Sequence, residues 1–277
     1  MAVNSDEAVA QLVAMGFDPD QGKLALGQSH GNLEQAVNLL LSGSPLDGGE
    51  GGGGSTTMVV GTMSQYSLDE GRSACTCIAL TAASKTLENP SINQELIHSM
   101  ITEGVQHYQS LSSSSTSSVE HMSAEEVLQQ DPAGTRFRLS SLSGGPRQGV
   151  LNRDPNHDFG LRKSLQNIRL DQPPEEWMAV LMTKTPETVL LLFPPPKPAA
   201  ARVGGKSPPL LFWLIDSHPR SAQLGTDTAY GKPHSTLDEL CTSLEAIFPL
   251  TELGPDVPDM MSMMYNSFDL YPLARKT

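Results

Sequence analysis

The sequence predicts two domains of different class: a small all-α three-helix bundle over residues 1–43 and a larger α+β domain over 58–250, with a flexible linker at 44–57 between them and a tail at 251–277. Three observations predict it. Apolar residues recur at helical spacing within 5–41, a glycine-rich polar stretch interrupts the chain at 42–57, and beyond it capped helical patterns alternate with continuous apolar runs. A chain of 277 residues leaves room for one domain of ordinary size beside a small one.

In the first segment Val9, Leu12 and Val13 share a helical face, Met15-Gly16-Phe17 interrupts the pattern, and Leu24, Ala25 and Leu26 resume it. Asp18-Pro19 suits a helix start, with Asp as cap and Pro at the first helical position. Gly31 then opens a third run of Leu33, Ala36, Val37, Leu40 and Leu41. The stretch that follows, SGSPLDGGEGGGGSTT, has almost no side chain that can pack, which is the composition of a tether.

In the larger domain Ile78, Ala79, Ala82 and Ala83 give a helix with a small-residue face that begins near Ser73, a candidate N-cap. Cys75 then falls in the first turn, where the helix end favours a thiolate and free amides can hold an oxyanion. Cys77 is turned by roughly 200° and faces elsewhere. Ser91 with Gln94, and Ser123 with Glu126, have capping-box spacing for two further helices. Trp177–Met182 and Thr188–Phe193 read as a buried hairpin, joined through Lys184-Thr185-Pro186-Glu187.

Leu210–Ile215 is a strand-like apolar run ending in Asp216-Ser217-His218-Pro219-Arg220. Period-two geometry puts Asp216 and His218 on one face of the strand end, close enough for the carboxylate to orient the imidazole. A thiol at a helix start with a distal Asp-x-His has the parts of a nucleophile, base and orienter set. Thr236 with Glu239 opens a last helix whose apolar stripe holds Cys241. His234, in a polar segment beside Pro233 and Ser235, is a reserve base without an orienting acid. The tail reads as either a partner-binding segment or an element docked on the core.

Composition limits the partners. A formal charge of -13 without a Lys/Arg cluster leaves nothing to neutralise phosphates, so neither nucleic acid nor membrane is expected as a partner. No apolar run approaches the ~20 residues of a membrane span, and the N-terminus carries Asp6 and Glu7 where a signal peptide would be basic and then apolar. The three cysteines have no zinc spacing and make no disulfide framework, so reduced thiols, no metal, no cofactor and a place in the cytoplasm or nucleus are expected.

The order of a Met-Gly-Phe loop, a middle helix, Gly-Asn-Leu-Glu-Gln-Ala and a terminal Leu-Leu resembles the ubiquitin-associated (UBA) family over its whole length. The resemblance implies a compact bundle that lays Met15, Gly16, Phe17, Leu40 and Leu41 on the apolar patch of ubiquitin or of polyubiquitin chains, including those on ubiquitylated proteins. An exposed Met and Phe beside leucines make a small adaptable surface. The helix-opening Cys, an upstream Gln and the distal Asp-x-His together resemble the papain-like deubiquitinating cysteine peptidases, and among them the herpesvirus tegument-type ubiquitin-specific peptidases. That resemblance implies a thiol hydrolase in which Cys75 is nucleophile, His218 general base, Asp216 its orienter and Gln65 an oxyanion donor. Two functions remain open at this point: a ubiquitin isopeptidase, or a non-catalytic ubiquitin-binding adaptor that keeps a peptidase-like docking domain.

Overall fold

The computed structural model describes residues 5–15, 17, 19–28, 33, 36, 37, 40, 57–113, 121–142, 145–196, 210–254 and 256–276. The chain divides into two units, Met1–Gly53 and Gly54–Thr277. In the first, α1 (Ser5–Ala14) and α2 (Pro19–Gln28) bury Ala8, Leu12, Ala25, Leu26 and Ala36, and Val9, Phe17, Leu33, Val37 and Leu40 pack against these. Leu33, Ala36, Val37 and Leu40 are helical, while the rest of the expected third helix lies outside the described residues, as do Gly16 and Leu41. The expected linker, 44–57, lies outside them too, apart from Thr57.

The second unit is α+β. In chain order it holds β1 (Val59–Val60), α3 (Cys75–Glu88), α4 (Gln94–Ser112), α5 (Ala124–Gln129), β2 (Leu139–Ser141), β3 (Arg147–Val150), α6 (Leu161–Leu170), β4 (Met178–Lys184), β5 (Glu187–Phe193), β6 (Phe212–Asp216), α7 (Ser221–Leu224), β7 (Tyr230–His234), α8 (Leu237–Ile247), α9 (Asp259–Tyr265) and β8 (Ser267–Arg275). The strands form an antiparallel sheet in the order β1-β7-β6-β5-β4-β8-β2, with β3 also on β8.

Both faces of this sheet are covered, which explains why β4 and β5 read as unbroken apolar runs. Alternation along them feeds two cores. Ala179, Leu181, Leu190 and Ile215 pack with α3, α4 and α5 on one side. Met178, Val180, Met182, Val189, Leu191 and Leu214 pack with α6 and α8 on the other. On the first side α3 and α4 approach closely at Gly104, where an added Cβ would lie 2.5 Å from Ile78 Cα. The small-residue face of α3 is therefore a packing surface that brings its start against the sheet.

Three sequence expectations change. Ser73 does not cap α3: a 3₁₀ turn at Gly71–Ser73 runs into the helix and Ala74 takes the cap position, with no side-chain cap bond. For α4 the cap is Asn93, whose side chain accepts from Leu96 N at 2.8 Å, and not Ser91. The segment 251–277 is no appendage, because it supplies α9 and β8, and β8 pairs with β4 over Ala179–Thr183; the sheet thus runs past the expected boundary at 250. Two other helix starts are capped where the sequence puts them, by Ser123 with Glu126 and by Thr236 accepting from Glu239 N, while the expected cap Asp18 lies outside the described residues.

Candidate active site

The start of α3 and the ends of β5 and β6 converge. Cys75 is the first residue of α3, Asp216 the last of β6, and His218 follows two residues on. The Cys75 thiol and the His218 imidazole are close enough to shift each other's pKa. His218 Nδ1 in turn meets Asp216 Oδ1 at 2.6 Å, and the same oxygen accepts from His218 N at 2.9 Å. A single carboxylate oxygen thus fixes both the ring and the backbone of His218, as expected for residues i and i+2 at a strand end.

The other Asp216 oxygen accepts from Arg220 Nε at 2.7 Å and from Tyr230 Oη at 3.4 Å. Arg220 Nη2 reaches on to Glu187 Oε2 at 2.7 Å. Glu187 opens β5 directly after Pro186, whose carbonyl accepts from Cys75 Sγ at 3.7 Å. Arg220 therefore ties Asp216 to the hairpin turn that lies against the thiol. Neither Arg220 nor Glu187 stands out in the sequence as a site residue. Arg220 lies four residues after Asp216, a spacing that could have suggested an ion pair.

Gln65 is fully buried in a 3₁₀ turn, Gln65–Ser67. Ser217 Oγ donates to its Oε1 at 2.6 Å, its backbone N donates to Ser217 O at 3.0 Å, and its Nε2 donates to Arg72 O at 3.3 Å. The amide is so oriented that its NH₂ end faces the segment leading into Cys75. The close fit depends on Gly71, where an added Cβ would lie 1.9 Å from Gln65 O. Glu70 beside it holds a left-handed φ of 63°, an unusual backbone for a side-chain-bearing residue and one that gathers at functional sites.

Burial alone would raise the Cys75 thiol, but the hydrogen bond and charge of His218, with hydrogen bonds from Thr188, outweigh it and hold the thiol below its ordinary 9.0. Burial would likewise lower His218, yet Asp216, Cys75 and Glu187 push it up to about 10. Asp216 is raised by burial and brought below its ordinary value by His218 and Arg220. All three shifts favour a thiolate beside an imidazolium. Cys77 and Cys241 differ: both are buried in apolar cores, and burial first of all pushes each thiol up to about 12.

Cys75 and His218 are each only 2% exposed, and a cleft of about 330 Å³ lined by Tyr66, Arg72, His121, Pro186, Glu187 and His218 opens at the imidazole. Tyr66 presents its edge to the His218 ring at 6.0 Å, with the Arg72 guanidinium 5.9 Å over its face. His234 ends β7 instead of lying in a loop, is buried, and burial pushes its imidazole down to about 4; its Nε2 has no partner among the described residues. It stands outside the cluster. Among the described residues no group of three or more His, Cys, Asp or Glu could hold a metal ion, and no helix is long and apolar enough to cross a membrane.

These couplings bear on stability. The depressed Asp216 contributes stability that is full above its ordinary 3.8 and is lost as pH falls through the lower folded value. The raised His218 contributes stability that is full below 6.5 and lost as pH rises through about 10. Asp216→Asn should accordingly cost more than orientation of the ring. It leaves the buried Arg220 with Glu187 alone, and denaturant unfolding should show a loss on the order of 3 kcal/mol at neutral pH. An unchanged midpoint would mean that the Arg220 clamp is not held by this carboxylate.

Residues 4–40 match the model of the UBA/TS-N domain. No curated protein matches the chain significantly. Six chains of solved structures match. One is the ubiquitin-specific protease encoded by a murine cytomegalovirus tegument protein, solved in complex with a ubiquitin-based suicide substrate; it is 12% identical, the alignment covers 78% of this chain and 85% of that one, and the TM-score is 0.48. Residues 4–40 are a UBA domain, carried on the same chain as an α+β unit in which Asp216 holds the ring of His218 and the start of α3 brings Cys75 to the same end of the sheet.

Proposed function

We propose that this protein is a ubiquitin-directed cysteine isopeptidase with a papain-like catalytic arrangement. The observation that carries the reading is the convergence of Cys75, at the start of α3, with an Asp216-held His218 whose imidazole helps to hold the buried thiol below its ordinary pKa. Cys75, as thiolate, attacks the carbonyl carbon of the C-terminal glycine of ubiquitin; the oxyanion that forms is held by the Gln65 amide and by backbone amides at the start of α3. As the tetrahedral intermediate collapses, His218 gives its proton to the departing lysine amine. Water then attacks the thioester, His218 takes a proton from it, and the thiolate leaves. Asp216 keeps the ring oriented and stabilises its charged form.

The UBA domain supplies substrate capture, since tethering a weak binding module to a catalytic unit raises the local concentration of its ligand. Met15, 56% exposed, and the half-buried Phe17 present the apolar loop, and Leu40 lies half-buried on the same small core. Gly16 and Leu41 complete the surface in this reading. A thiolate nucleophile of this kind requires a reducing compartment, the cytoplasm or nucleus. The test is cleavage of purified polyubiquitin by the full chain, with Cys75→Ala as control. Failure of the intact chain to cleave any linkage, with ubiquitin binding preserved, would turn the reading to an adaptor.

Capture is checked separately. Met15→Ala or Phe17→Ala should weaken ubiquitin binding by residues 1–43 about tenfold or more, as loss of an apolar anchor does. Circular dichroism should keep its helical signal in the Met15 variant, because that side chain is exposed. Unchanged affinity in both variants, measured by titration, would place the ubiquitin contact elsewhere.

A further inference from the structure

The helix α9 is built inside out. Its sequence DMMSMMY places four methionines and a tyrosine in seven residues, and none of the seven is buried. Met260 is 74% exposed, Met264 69% and Tyr265 57%, with Met261 and Met263 near half. The helix is held from beneath by polar bonds: the buried Asn266 donates Nδ2 to Ser262 O at 2.9 Å and to Thr251 O at 3.0 Å, and accepts from Thr251 N at 2.8 Å. Nothing in the fold requires methionine at these positions. A contiguous exposed apolar group of this kind marks an interaction surface, and methionine suits one that adapts to its partner.

Its place in the fold identifies the partner. Lys184 Nζ donates to Tyr265 O at 3.2 Å, tying the end of α9 to the root of the β4–β5 hairpin. The turn of that hairpin holds Pro186, against Cys75 Sγ at 3.7 Å, and Glu187, which reaches Arg220. The end of α9 is thus tied to the same hairpin whose turn lies against Cys75. Exposed Asp256, Asp259 and Asp269 on this segment outnumber the bases beside it, Lys184 and an Arg153 already paired with Glu252, and Asp269 pairs with Thr183 next to Lys184. An apolar patch with an acidic rim calls for a partner whose own apolar patch is bordered by basic groups. A second copy of this chain, at -13, would bring like charges together.

We propose that α9 is the surface on which the body of the ubiquitin being cleaved rests while its tail enters the Cys75 cleft, a second ubiquitin contact on this chain besides the UBA domain. The proposal rests on the isopeptidase reading for its meaning, and the experiment separates the two. Full-length Cys75→Ala protein labelled with ¹³C at its methionine methyls is titrated with free ubiquitin, the signals being assigned by single substitutions. Ubiquitin should shift the Met260, Met261, Met263 and Met264 methyls as well as that of Met15. In the same titration, the triple variant Met260→Glu, Met263→Glu and Met264→Glu should weaken the contact at α9 about tenfold while the Met15 shift persists.

Shifts confined to Met15 would overturn the proposal. So would α9 methyls that move with protein concentration alone, which would mean a second copy, or that move on deletion of residues 1–43 without ubiquitin, which would mean that the chain's own UBA domain covers the helix. Shifts at α9 in a protein whose unmutated form cleaves no ubiquitin chain would remove the catalytic reading and leave the docking surface standing.

Discussion

Cys75→Ala should abolish cleavage of ubiquitin chains and leave ubiquitin binding intact. No other thiol can take over: Cys77, two residues on, and Cys241 are packed in separate apolar cores, with burial pushing both up to about 12. The substitution removes the nucleophile and costs little else, since the hydrogen bond of Cys75 Sγ to Pro186 O is a long one, at 3.7 Å. Chain cleavage followed by gel electrophoresis, with thermal unfolding as a control on the fold, checks this. Activity retained in Cys75→Ala would take the nucleophile away from the start of α3.

The second large effect is expected at His218. In the intact protein the thiol lies below 9.0 because the imidazole donates to it and carries charge beside it. His218→Ala leaves the burial of Cys75, which raises the thiol, nearly unopposed. The rate of alkylation of Cys75 by iodoacetamide, followed between about pH 5 and 10, should therefore have its inflection below the ordinary thiol value in the intact protein and move to alkaline pH in the variant. Turnover should fall by roughly a thousandfold or more, because both the base and the leaving-group acid are lost. The profile is the more informative readout, since a purely structural histidine would not move it. Two profiles with the same inflection would dissociate His218 from the thiol.

Parts of this site are local and so are readable from sequence. Asp216 and His218 are two residues apart on a strand end, and period-two geometry alone brings them to one side. Cys75 at a helix start and the β4–β5 hairpin follow from patterns of a few residues each. The clamp that joins them is not local. Arg220 follows the strand with no periodic signal, and its second partner, Glu187, is set in place only by the pairing of β5 with β6. Gln65 was found through resemblance, whereas the packing that fixes it depends on Gly71 and Ser217, which only the folded chain brings together.

The ambiguity of the tail at 251–277, which the sequence leaves open between a partner-binding segment and an element docked on the core, has a physical reason. In β8 Phe268 and Leu270 alternate toward one core, but Pro272 lies within the same strand, and proline argues against an interior strand because it lacks the N–H that the ladder uses. Here Pro272 serves as an acceptor, its carbonyl taking a bond from Leu142 N at 3.1 Å. The helix starts are a smaller case. Ser73 and Ser91 have the chemistry of caps, yet a 3₁₀ turn precedes α3 and Asn93 lies nearer the first turn of α4, so tertiary context moved the cap from Ser73 to Ala74 and from Ser91 to Asn93.

The central claim is that Cys75 is a nucleophile aimed at the end of ubiquitin, and the most direct measurement is reaction of the full chain with a ubiquitin derivative carrying an electrophile at its C-terminus, with the adduct mapped by mass spectrometry. The account predicts one ubiquitin per chain, attached to Cys75 alone, and no adduct in Cys75→Ala. An adduct on Cys77, or none at all from a protein that still binds ubiquitin, would contradict it.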